Sequence, residues 1–211
     1  MVEAQILSHN VAFVADAAHS RRAAELGAGK GVSRSHYSAR FRANQHSNTK
    51  DIRAMTKPST AIIGACGEHY IAAYLSGFKL IVAMPRGGIP GSDLFVTNEK
   101  GGQAIRVQVK TGTQATRNTK DEGEIYLWAT SYAAIERDDK HLWYAYVWLN
   151  GWPNEENLPE VFFVPSKVVV KCMKGCREDN DTWPYFWMRA DDAKKYQGHA
   201  GLQSLLDALD S

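Results

Sequence analysis

The feature that most restricts how this chain can fold is a pair of short apolar runs, Leu94-Phe95-Val96 and Ile105-Arg106-Val107-Gln108-Val109-Lys110-Thr111, separated by Asn98-Glu99-Lys100-Gly101-Gly102. Two β-branched segments around a Gly-rich turn predict a β-hairpin. Folding about Lys100/Gly101 sets Asp93 opposite Gln108. Because successive strand side chains alternate faces, Ile105, Val107 and Val109 share one face and Arg106, Gln108 and Lys110 the other. The first face is core. The second gathers a carboxylate, an amide and an ammonium, and polar groups backed by a core need partners or a ligand.

Upstream, Ser59 precedes a helical segment from about Thr60 to Ser76, stopped by Gly77. Within it Glu68 has Ile71, Ala72 and Leu75 at spacings of three, four and seven, so its carboxylate lies along an apolar face. Gly64 and Gly67 permit close approach to another backbone. Strands are expected at Lys79–Met84, Ile125–Ala129, Leu142–Leu149, Val161–Val164 and Tyr185–Met188, with helical patterns at Asp191–Tyr196 and Leu202–Leu209. Leu142–Leu149 carries large residues on both faces and is expected to be central. This alternation predicts an α/β fold with a mixed central sheet flanked by helices.

The chain has 211 residues, 44% of them apolar, enough for one sizeable core. It lacks a continuous apolar run of membrane-spanning length and a secretory leader pattern, so no membrane partner and a cytoplasmic location are expected. The net charge of +2 conceals an asymmetry: residues 1–57 hold nine Lys/Arg against four Asp/Glu, and residues 58–211 sixteen against nineteen. Residues 1–57, rich in Ser, Arg, His and Asn after an Ala-rich start, are expected to form a basic, largely disordered extension. Residues 58–211 are expected to form the folded domain. Trp128, Trp143 and Trp148 fall inside predicted strands and read as core, not as base-stacking platforms. Cys172, Cys176 and His199 lack the spacing of a zinc site.

Gly67-Glu68, Ser92-Asp93-Leu94 and Gln108-Val109-Lys110, in that order with apolar flanks, resemble the PD-(D/E)XK nuclease superfamily over residues 59–170. Ser92 stands where the family usually has Pro, and Gln108 where it usually has an acid. Gln-x-Lys is similar to the branch containing group I intron-encoded homing endonucleases and related bacterial proteins. The resemblance implies a restriction-endonuclease-like core and a metal-dependent endonuclease that hydrolyses phosphodiester bonds in DNA. It implies catalytic roles for Glu68, Asp93, Gln108 and Lys110, and Mg2+, or Mn2+ as the alternative ion, held by Asp93, Gln108, the Val109 carbonyl and Glu68. Arg86, Arg106 and Thr111 are candidate nucleic-acid contacts. A homodimer or homotetramer would suit paired cuts in a duplex. Competing readings are an inactive nuclease-fold protein that binds nucleic acid, an RNA-directed nuclease, and a protein whose polar strand face is coincidental.

Overall fold

The computed structural model describes residues 58–153, 156–178 and 184–211. The expected extension over residues 1–57 lies outside these. Helix α1 spans Thr60–Gly77, its N-terminus capped by Ser59, whose hydroxyl accepts from the Ile62 N–H at 3.3 Å. The Phe78 and Lys79 N–H groups donate to the Leu75 and Ser76 carbonyls, and Lys79 turns out of the helix at φ 63°. Strand β1 is shorter than expected, Ile81–Ala83, and leads by a loop to β2, Leu94–Thr97.

The hairpin forms in the expected register. Leu94 pairs with Val107, Phe95 with Arg106 and Val96 with Ile105, which sets Asp93 across from Gln108. Strand β3 runs from Ile105 to Gly112. In the turn, the Asn98 side-chain oxygen accepts from the Lys100 N–H at 3.1 Å, and Gly101 takes φ +69°. After β3 the chain leaves the main sheet for β4 (Thr116–Thr119) and β5 (Gly123–Ala129), then a 3-10 turn at Tyr132–Glu136. It returns as β6 (Leu142–Trp148), parallel to β3, followed by antiparallel β7 (Glu160–Pro165). The five-stranded mixed sheet has order β1-β2-β3-β6-β7.

Ser166–Glu178 forms helix α2, and Tyr185–Arg189 forms β8, which joins β4 and β5 in a three-stranded sheet of order β4-β5-β8. Neither α2 nor this second sheet was expected. Val168, Val169 and Val170 have strand propensity, yet the run is helical because it lays Val169 and Met173 onto the second core. The helix expected over Asp191–Tyr196 is reduced to one turn, α3 (Ala190–Ala193), and α4 spans Gly198–Leu209. None of the helices among the described residues is long and apolar enough to cross a membrane.

Each face of the main sheet carries its own core. On one, Val96, Ile105, Val107, Ala145 and Phe163 pack under Ile71 and Leu75 of α1 and Leu202 and Leu205 of α4. On the other, Tyr144, Tyr146, Phe162 and Val164 meet Ile135, Met173, Trp128 and Phe186. Strand β6 is therefore covered on both sides, as its composition predicts. Trp128 and Trp143 are core, and the Trp128 indole N–H donates to the Val147 carbonyl at 3.2 Å. Trp148 is half-buried at the margin of the second core.

The second layer stops short of β3, so Arg106, Gln108 and Lys110 are only half covered while Ile105 and Val107 are fully buried. At the far end of β3, α1 crosses so closely that a Cβ on Gly67 would overlap the Thr111 hydroxyl. Gly67→Ala is expected to cost about 1–3 kcal/mol through overpacking. Thr111→Ala should recover part of that loss. Urea melts of both single variants and the double variant will show the coupling, and an additive result would place the contact elsewhere.

Candidate active site

Backbone pairing between β2 and β3 ends just before the site. The Asp93 N–H donates to the Val107 carbonyl at 2.9 Å, the last rung of the ladder. One step on, the Val109 N–H donates at 2.7 Å to Oδ2 of Asp93. A side-chain carboxylate thus replaces the carbonyl that a longer β2 would have supplied. Within a strand the N–H and C=O of one residue point the same way, so the Val109 carbonyl faces the same opening. Oδ1 of Asp93 remains for another partner.

Glu68 reaches this opening because Gly67 lets α1 come down on Thr111 beside Lys110. Its carboxyl is held above the usual Glu range, first by burial and second by the negative charge of Asp93, with His69 and Lys110 opposing the shift. Lys110 is pulled below the usual lysine range, chiefly by burial. Asp93 and Glu68 resist that shift and the Arg137 charge adds to it. Each of these groups lies close enough to bias the protonation of its neighbours. The structure therefore brings Glu68, Asp93 and Lys110 to one place.

Gln108 shares that face, and its side-chain oxygen already has a partner: Nη1 of Arg137 donates to Oε1 at 3.3 Å. Sequence reasoning passed over Arg137. It follows the 3-10 turn and reaches Gln108 across 29 positions of chain, so no local spacing could have found it. Its guanidinium runs under the turn before β2, where Gly91 has φ +78° and a Cβ would strike the arginine. Glycine is needed there on both counts. Arg137 also lies beside Tyr144, a fully buried residue paired in register with Gln108. Burial raises the Tyr144 phenol above its ordinary range, and Arg137 pulls it back.

The three candidate nucleic-acid contacts are placed differently from one another. Arg86 is exposed in the loop before β2. Arg106 forms an ion pair with Asp139, Nη2 to Oδ2 at 2.5 Å, and Asp139 also accepts from the His141 N–H at 2.7 Å. That guanidinium is occupied. The Thr111 hydroxyl is turned inward beneath Gly67, on the face opposite Lys110, and has no hydrogen-bond partner. There it packs against α1.

The donor set suits a hard divalent ion that keeps several waters: two neighbouring carboxylates, a backbone carbonyl aimed at the same opening and one lone pair left on the Gln108 amide oxygen. Mutual repulsion between Glu68 and Asp93 is what a bound cation relieves. Among the described residues no group of three or more His, Cys, Asp or Glu side chains could hold a metal ion, so any shell here leans on amide, backbone and water oxygens.

Comparison with known proteins leaves the chemistry to these side chains. No family model matches the chain, and no curated protein does. A solved structure, that of a bacterial homing endonuclease, is similar to it with a TM-score of 0.46 and 14% identity, over 72% of this chain and 94% of that one.

Because the folded-state pKa of Glu68 is raised, folding binds a proton more tightly, and stability falls as pH rises from the ordinary Glu range through the folded value. Glu68→Gln removes that penalty. Without divalent ions the variant should melt above the wild type at neutral pH, with the gap closing in acid. An equal or lower melting temperature at neutral pH would show that the two carboxylates do not oppose each other.

Proposed function

We propose that residues 58–211 form a divalent-metal-dependent endonuclease that hydrolyses phosphodiester bonds in DNA. The observation that carries this reading is the meeting of Glu68, Asp93 and Lys110 where the β2–β3 ladder ends. Asp93, the Val109 carbonyl, the Gln108 amide oxygen and Glu68 would hold Mg2+, with Mn2+ as the alternative. When bound, such an ion polarises the phosphoryl oxygens and lowers the pKa of water in its shell.

The chain's own residues supply the remainder. Asp93 is locked to β3 by the Val109 N–H, so its free oxygen keeps a fixed direction. Lys110, half-buried and partly starved of water, has an ammonium that orients the attacking water and stabilises charge growing on the phosphoryl group. Its lowered pKa also brings the neutral amine closer to physiological pH, which suits proton transfer from that water. Gln108 adds no negative charge to the shell, so the raised Glu68 carboxyl must ionise for the ion to be held firmly. Ion binding is therefore expected to tighten as pH rises through the Glu68 range.

One observation favours a second reading, a nuclease fold that binds DNA without cutting it: the described residues offer no third acidic ligand. Cleavage of supercoiled plasmid separates the two. Lys110→Ala and Asp93→Asn should each lower Mg2+-dependent cutting by about 100-fold or more while leaving the thermal melt near that of the wild type. Glu68→Ala should abolish the pH dependence of Mg2+ binding. A wild-type chain that binds plasmid yet cuts neither it nor RNA, in Mg2+ or Mn2+, would overturn the catalytic reading.

A further inference from the structure

We propose that Arg137 is the residue that grips the substrate phosphate in this site, and that Gln108 is its positioning partner, keeping the guanidinium oriented without neutralising it. The proposal rests on the phosphodiester reading above and adds a residue to it. Three observations support it. Arg137 is half-buried, yet forms no ion pair among the described residues, whereas Arg106 pairs with Asp139 and Arg189 with Glu122. The groups it meets are neutral: it donates to the Gln108 amide oxygen at 3.3 Å and stands beside the Tyr144 phenol, so no partner cancels its charge. It also sits against Gln108, which shares one face of β3 with Lys110, so two cations border one opening.

A cation that is always charged, partly desolvated and beside a second cation is stabilised by an anion. The fork of a guanidinium matches the paired oxygens of a phosphate. The Gly91 turn presses on Arg137 from above and the Gln108 oxygen fixes it from the side, so the side chain is ordered before any substrate arrives. Less rotamer entropy is then lost on binding. The same geometry explains why an amide serves at position 108. A carboxylate there would form an ion pair with Arg137, satisfy its charge and compete with the incoming phosphate. Glutamine holds the same hydrogen bond and leaves the charge available.

The test uses the full chain and a short DNA duplex of arbitrary sequence, with affinity measured against salt in the presence of EDTA. Arg137→Ala is expected to weaken binding and to reduce the salt slope by about one, while Arg137→Lys keeps the slope and loses part of the affinity. Gln108→Glu should reproduce the Arg137→Ala loss, and in the Arg137→Ala background it should add little further. An unchanged slope and affinity in Arg137→Ala would overturn the proposal, as would fully additive losses in the double variant or a wild-type chain that binds no duplex. Thermal melts of each variant check the fold. Plasmid cutting in Mg2+, with Lys110→Ala alongside, distinguishes the two claims. A chain that binds through Arg137 but cuts nothing ends the phosphodiesterase reading and supports the grip. Cutting that survives Arg137→Ala with an unchanged salt slope ends the grip and supports the phosphodiesterase.

Discussion

The arrangement of the site depends on one hydrogen bond, the 2.7 Å contact from the Val109 N–H to Oδ2 of Asp93. Strand β2 is too short to continue pairing with β3, and an unpaired N–H near the core carries a free-energy cost. Asp93 meets that need with its side chain. In doing so it fixes its own carboxylate against the strand and leaves the Val109 carbonyl facing the gap that β2 vacates. Charge, geometry and an open coordination direction thus arise from a ladder that ends one residue early.

That early end matters because of the two faces of β3. Its inner face is sealed by Ile105, Val107 and Val109 under α1, which gives the strand a rigid seat. Its outer face lies where the second layer, built from α2, the 3-10 turn and the small sheet, gives out. Lys110 and Gln108 are consequently neither in water nor in a dry core. Half-burial strengthens every charge interaction among them. Gly67 completes the assembly from the opposite side, since only a residue without Cβ lets α1 settle on Thr111 and carry Glu68 to the rim. The proximity of two carboxylates costs stability, and such strain is stored where a ligand can relieve it.

Much of this was legible in the residues themselves. Period-two alternation through Ile105–Lys110 predicts both faces of β3, and the Gly-rich turn fixes a register that sets Asp93 across from Gln108. Glu68 stands out because its helical neighbours are apolar, and the double-sided bulk of Leu142–Leu149 marks the central strand. Other features depend on contacts far apart in sequence. The helix at Ser166–Glu178 contains a valine run whose local preference is for strand, and packing of Met173 and Val169 decides the outcome. Arg106, a candidate nucleic-acid contact, forms an ion pair with Asp139, 33 residues away, which no local pattern announces. The placement of the Thr111 hydroxyl beneath Gly67 depends on how closely α1 crosses β3. Arg137 follows the same rule in reverse, an unremarkable arginine in the chain that the fold delivers to the site.

Glu68 and Asp93 stand against Lys110 and Arg137, with Gln108 neutral between them, so without ligands the charges compensate one another across a short span. A cation taken up by the carboxylates would draw their field away from Lys110 and Arg137. Those two cations would then favour an anion more strongly than before. A phosphate on the basic side would, in turn, free the carboxylates for a metal ion. On the proposed reading, binding of metal and of phosphate would be coupled, each raising the affinity for the other by the same factor, because the coupling is a property of the pair of sites and not of the order of arrival. An acid at position 108 would break this symmetry by tying Arg137 to the metal side. A neutral amide adds no charge to either side and would preserve that reciprocal dependence.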